Sequence, residues 1–120
     1  MDKNFSHLIG IPYDQKDCYA LAVAFYKDVL GIELKNYYSE IPESAIESSN
    51  LIYSSMGDFK KVEVPQFGDL IVIKLRRIES HIGVYIGEDK MLHSFMNVGS
   101  SIEGLSKYRR MISGYFRIIK

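Results

Sequence analysis

The residues equipped for chemistry are few and far apart in the chain: one cysteine, Cys18, and three histidines, His7, His81 and His93. A thiol attacks as its thiolate, a form favoured by a neighbouring imidazolium, by a helix N-terminus and by partial exposure. Cys18 follows Asp17, a good N-cap, and Leu21, Ala22, Phe25 and Val29 continue from it at three- and four-residue steps. That pattern places the thiol in the first turn of an amphipathic helix, where unpaired backbone N–H groups can also stabilise an oxyanion. The competing reading is a small core residue, since free cysteine is among the most buried residue types.

A nucleophile of this kind needs a base, and the base needs an orienting partner. His81 opens the run HIGVYIG, whose alternation puts Ile82, Val84 and Ile86 on one face and His81, Gly83 and Tyr85 on the other. Gly83 leaves room for another group to approach on the histidine's side. His93 lies in the following run, KMLHSF. A four-residue loop over 87–90 would set Val84 opposite His93 and turn the two histidines to opposite faces. A three-residue loop over 87–89 sets Gly83 opposite His93 and makes His81 and His93 diagonal neighbours. In the second register His93 binds one ring nitrogen of His81 and leaves the other for the thiol. A half-exposed strand histidine with no task is the alternative at His81, and His7, in an unpatterned stretch, reads as solvated.

The elements that would position these groups follow from the periodicity. Gly10, Pro12 and Asp14 mark turns before the helix, and Gly31 supplies a left-handed stop after it. Pro42 and Gly57 bracket a weaker helical pattern over 39–55. From Phe59 the chain changes to short β-rich runs, FKKVEV, DLIVIKL, HIGVYIG and KMLHSF, with one helical turn over 106–111 and a last strand, YFRII. Helix first and strands afterwards is an α+β order, with the helix on one face of a small antiparallel sheet.

With 120 residues the chain is expected to form one domain, spanning 1–120. Fifteen basic and fifteen acidic residues cancel, which gives no reason to expect a nucleic-acid partner or an anionic membrane surface. One cysteine excludes an intramolecular disulfide. The N-terminus lacks the continuous apolar core of a secretory signal, and no run approaches the roughly 18 apolar residues of a membrane span. A soluble protein made in the cytoplasm is the expectation. The short spacings of structural zinc sites are missing around Cys18, Asp69, His81 and His93, so no metal is expected.

In order and spacing, Gly10, Pro12-Tyr13, Asp17-Cys18 with Leu21, Phe67-Gly68-Asp69-Leu70, His81 to Gly87 and Lys90 to His93 resemble the NlpC-like, papain-related cell-wall cysteine peptidases, particularly the small members at bacteriophage tail tips. The resemblance implies a papain-like fold with Cys18 as nucleophile, His81 as general base and then acid, and His93 as its orienting residue. It implies that Tyr13 helps bind the oxyanion or the substrate, that Asp69 is structural, and that no cofactor is needed. The substrate class it implies is the peptidoglycan stem peptide, cut between a γ-linked D-glutamyl residue and a diamino acid. It further implies a phage tail location acting at the bacterial cell wall, with other tail-tip proteins as partners. A secreted antibacterial amidase and a non-catalytic tail-tip or wall-binding module are the alternatives. The chain departs from the family pattern at Gln15-Lys16, where a glycine pair is usual, and at Tyr19-Ala20, where smaller residues are usual.

Overall fold

The computed structural model describes residues 4–34, 59–75 and 78–119; the weak helical pattern over 39–55 lies outside them. Helix α1, Cys18–Phe25, begins where the cap residue predicts. Asp17 holds an extended backbone and its Oδ1 accepts the Ala20 N–H at 2.9 Å, satisfying one of the amides that a helix start leaves unpaired. The helical path widens into one π turn over Tyr26–Leu30 and ends at Gly31, whose φ of 69° lies in the left-handed region.

Among the described residues, six antiparallel strands make one sheet: β1 (Phe59–Val62), β2 (Leu70–Leu75), β3 (Ile78–Gly87), β4 (Lys90–Phe95), β5 (Gly99–Gly104) and β6 (Ile112–Ile118). Their spatial order is β1-β6-β2-β3-β4-β5, so the last strand inserts between the first two. The fold is the expected papain-like α+β arrangement. Three elements differ from expectation. β3 starts three residues before His81 and β6 three before Tyr115, while β5, built from the glycine- and serine-rich GSSIEG, carried no strand signature.

Both faces of the sheet are covered. Leu70, Val72, Ile82, Val84 and Leu92 pack against Leu21, Ala22 and Phe25 of α1. The other side chains of β2, Ile71 and Ile73, join Met91, Leu105 and Tyr108 in a second cluster. The short 3-10 helix Ser106–Met111 contributes Tyr108 to that cluster. The near-continuous apolar run of β2 is therefore a strand buried on two sides, as such runs often are. Leu21, Phe25, Ile71 and Ile82 are at most 1% exposed, and each contributes about 1.5–3 kcal/mol through burial.

The β3–β4 hairpin decides where the histidines point. Its turn is only two residues long, Glu88 and Asp89, both at positive φ (53° and 61°), with Gly87 paired to Lys90. The register then shifts between Tyr85 and Gly87, so that Tyr85 pairs with Met91 and Val84 with Leu92. Ile86 is the extra residue of a bulge. A two-residue turn plus one bulged residue has the parity of a three-residue loop, and His81 and His93 fall on one face.

Candidate active site

The site is assembled where β3 and β4 part. Val84 and Leu92 are the last paired residues of their ladder, and His81 and Ile82 lie beyond them. The start of α1 sits at this splay. The Ser94 hydroxyl donates to the Lys16 carbonyl at 2.7 Å, fixing the approach to the helix on β4. The backbone N–H groups of Ile82 on β3, and of Tyr19 and Cys18 itself, lie within reach of the Cys18 sulfur and favour its thiolate.

Cys18 is a free thiol, 6% exposed. Burial pushes it up to about 12 and the Asp17 charge adds to the rise, while the three backbone N–H groups pull the other way. The N-cap that starts the helix thus opposes ionisation of the thiol it positions. Tyr13 lies near enough to Cys18 for a thiolate there to disfavour a phenolate. Its hydroxyl is pushed up to about 12, by burial first and then by Cys18 and Asp17, and it remains a neutral hydrogen-bond donor.

His81 Nε2 and His93 Nδ1 are 2.8 Å apart, with the rings edge to face and centroids 5.0 Å apart. Phe95 closes over His81 at a centroid distance of 5.4 Å. His81 is 3% exposed and His93 1%, so His81 is not the half-exposed strand histidine of the alternative reading. Burial takes His81 down to about 3 and His93 adds to the fall, with Glu103 pulling back. Burial also lowers His93, against the pull of Glu103. Thiol and imidazole both rest in their neutral forms. Gly83 provides the expected close approach: a Cβ there would lie 2.7 Å from the Met91 sulfur and 3.4 Å from the His93 Cβ.

The sequence reading missed Glu103. Its Oε1 lies 2.7 Å from His93 Nε2 and accepts the Tyr108 hydroxyl at 2.8 Å, and its Oε2 pairs with Lys107. β5 places it there through the pairs His93–Ser101 and Met91–Glu103, which make Glu103 diagonal to His93. Burial works against the ionised carboxylate, but hydrogen bonds from Lys107, Tyr108 and His93 outweigh it and hold Glu103 at about 2. The available signal was the alternation of Glu103 with Ser101 after a turn containing Asn97 and Gly99, both at positive φ.

The remaining singled-out residues lie elsewhere. Asp69 is 3% exposed and holds the Arg117 guanidinium at 2.8–3.2 Å and the Gln66 N–H at 2.7 Å, a structural role tying β6 to the turn before β2. His7 is exposed and pairs with Asp28 at 2.8 Å. Among the described residues, no group of three or more His, Cys, Asp or Glu side chains has a metal-holding arrangement.

The Tyr13 loop is anchored on β5. Gly10 N–H donates to the Ser100 carbonyl, Ser100 N–H donates to the Ile11 carbonyl, each at 2.9 Å, and Ile11 N–H donates to the Ser100 hydroxyl at 2.8 Å. Gly99 is required at this crossing, because a Cβ would lie 2.6 Å from the Ile11 carbonyl oxygen and its φ is 85°. Between the loop and the β4–β5 turn runs an open groove of about 550 Å³, bordered by Tyr13, Asp14, Met96 and Val98.

A helix with a thiol at its first residue, packed on an antiparallel sheet whose last strand inserts between the first two, places the chain in the papain-like class of α+β folds. Within that class the chain belongs to the NlpC/P60 family, whose model matches residues 6–117. Solved structures that share the fold include the following three. The NlpC/p60 domain of the peptidoglycan hydrolase SagA superposes with a TM-score of 0.61 at 16% identity, covering 95% of this chain and 91% of that one. An NlpC/P60 family protein from Bacillus cereus gives 0.60 at 24% identity, covering 94% and 37%. A Staphylococcus aureus protein described as similar to a lipoprotein of the NLP/P60 family gives 0.59 at 21%, covering 87% and 32%. The chain thus spans about a third of the length of the latter two. Among curated proteins, none matches.

Proposed function

We propose that the protein is a cysteine peptidase that hydrolyses amide bonds in peptidoglycan stem peptides through a thioester. The observation that carries this reading is the bonded pair of His81 Nε2 and His93 Nδ1, 2.8 Å apart, with His81 next to Ile82, whose backbone N–H is within reach of the Cys18 thiol at the start of α1. Family membership and the likeness to the domain of a peptidoglycan hydrolase support the substrate class.

With Nε2 engaged by His93, His81 offers Nδ1 to the thiol. Because both groups rest neutral, proton transfer accompanies attack: sulfur bonds to the carbonyl carbon as its proton passes to Nδ1. Backbone N–H groups at the start of α1 and the Tyr13 hydroxyl are the donors at hand for the oxyanion. The imidazolium then protonates the leaving amine, the C–N bond breaks and a thioester remains. Water attacks that thioester while His81 takes its proton, and the carboxylate leaves as the proton returns to the thiolate. The groove beside Tyr13 suits an extended peptide, and the exposed side chains of Met96 and Val98 offer apolar contact to its stem.

The test is digestion of purified peptidoglycan followed by mass analysis of the soluble fragments. New amino termini on the stem diamino acid are expected with the wild type and not with Cys18→Ala; the same fragments from the variant would refute the assignment. For the biological setting we propose a phage tail, on the strength of the tail-tip resemblance in the sequence. Detection of the chain in purified virions supports that setting, and its absence from them ends it.

A further inference from the structure

Glu103 lies one residue beyond the histidine pair, and its chemistry runs back through both rings. An ionised carboxylate only accepts hydrogen bonds, so the His93 nitrogen facing it, Nε2, must carry the hydrogen. A neutral imidazole has one N–H, which makes His93 Nδ1 an acceptor. The partner at that nitrogen is His81 Nε2, 2.8 Å away, and it must therefore donate. His81 then holds its only hydrogen on Nε2, and Nδ1 is left with a lone pair. Without the carboxylate the chain of bonds reads equally well in reverse. His93 would donate from Nδ1, and His81 would carry its hydrogen on Nδ1, where it cannot accept the proton of a thiol.

We propose that Glu103 is a positioning residue that sets the tautomer of His81 through His93, making Nδ1 of His81 the basic atom. The consequence for catalysis rests on the reading of His81 as the general base; the tautomer itself does not.

The surroundings of Glu103 suit this task. His93 reaches it from β4, Tyr108 and Lys107 from the short helix after β5, and all three present hydrogens to it. Their donation keeps the carboxylate ionised at any pH where the protein would work. Tyr108 is 7% exposed, so one of the carboxylate's donors is fixed by the second core, while Lys107 stands in solvent and reinforces the charge. A carboxylate that merely satisfied a buried imidazole would need none of this, because a hydroxyl or a carbonyl would serve as well. When His81 takes up a proton, the same chain shares the charge with the carboxylate without moving a heavy atom.

The test is long-range proton–nitrogen NMR on the full chain with labelled histidine at pH 7, where only three histidines need assignment. The wild type should show the Nε2–H tautomer for both His81 and His93. A wild-type His81 carrying its hydrogen on Nδ1 would overturn the proposal without any mutation. In Glu103→Leu, the Nδ1–H form of His81 should become populated, and turnover of stem peptide should fall on the order of 10²-fold in kcat with little change in KM. Glu103→Asp should restore the tautomer in part. A folded Glu103→Leu protein with His81 still purely Nε2–H would refute the role. If that variant does not fold, Glu103→Met, close to Glu in length and without a strong acceptor, gives the same reading: Nδ1–H on His81 supports the proposal, and an unaltered wild-type pattern refutes it. Absence of hydrolysis by the wild type would count against the peptidase reading alone and leave the tautomer result standing.

Discussion

His81 Nε2 stands 2.8 Å from His93 Nδ1 in a pocket that excludes water from both rings. A hydrogen bond between two imidazoles needs one of them to donate and the other to accept, so the pair has a direction, and that direction selects which nitrogen of His81 is basic. Removing either ring should therefore damage catalysis in a different way. His81→Ala removes the base itself and should lower kcat by about 10²–10⁴-fold. His93→Asn, which can still accept a hydrogen bond, should cost less than His93→Leu. Equal losses for the two His93 variants would show that His93 does not orient the base.

The same burial ties the histidines to stability. His81 is held down to about 3, well below the ordinary histidine value near 6.5. Between those values the unfolded chain binds a proton that the native protein does not, so stability is fully present above about pH 6.5 and falls as the pH drops toward 3, by up to about 1.4 kcal/mol per pH unit. Denaturant midpoints measured from pH 7 to pH 4 should fall with acid, and less steeply in His81→Gln. An identical slope in that variant would mean that the buried imidazole is not the group being protonated.

At the thiol, burial leads the upward shift and the Asp17 charge follows it. Asp17→Asn keeps a side-chain oxygen for the Ala20 N–H and removes the charge. Alkylation of Cys18 at pH 8 should accelerate in Asp17→Asn with the fold intact, and a slower reaction would show that Asp17 assists ionisation.

How much of this was legible in the sequence depends on the range of each signal. Asp17 and Gly31 are local cap residues, and they bounded the helix within a turn of its observed ends. The histidine pair was legible up to a choice of parity, because alternation fixes the relative face of His81 and Gly83 but not the loop between strands. The resolving feature, a bulge at Ile86 combined with a turn through Glu88 and Asp89, has no Asn-Gly or Asp-Gly signature. β5 escaped notice because Gly99, Ser100 and Ser101 have low strand propensity and gain their place from pairing with β4 and with the Gly10–Ile11 segment. Glu103 was lost with it, since its contact with His93 exists only once that strand is in register.

Asp69 separates structure from chemistry. Its carboxylate is buried and bonded to Arg117 and to the Gln66 N–H. Asp69→Asn should lower stability by about 1–3 kcal/mol while leaving kcat per folded molecule unchanged. A drop in kcat at full stability would place Asp69 in the reaction.

Tyr13 lies within electrostatic range of Cys18 and stays a neutral phenol, its hydroxyl pushed up to about 12 by burial first. Tyr13→Phe removes one hydrogen-bond donor and little else; loss of an oxyanion donor costs about 10²–10³-fold in kcat. Such a fall, without a change in the unfolding midpoint, is the expected outcome. An unaltered kcat would leave the backbone N–H groups as the oxyanion donors.

Because Cys18 is the sole cysteine, the central claim can be measured directly. The protein is alkylated to graded extents, the modified fraction is read by intact mass, and stem-peptide hydrolysis is assayed on each sample. If Cys18 is the nucleophile, activity falls in proportion to the alkylated fraction and vanishes when modification is complete. Fully alkylated protein that still cleaves at the wild-type rate would contradict the account.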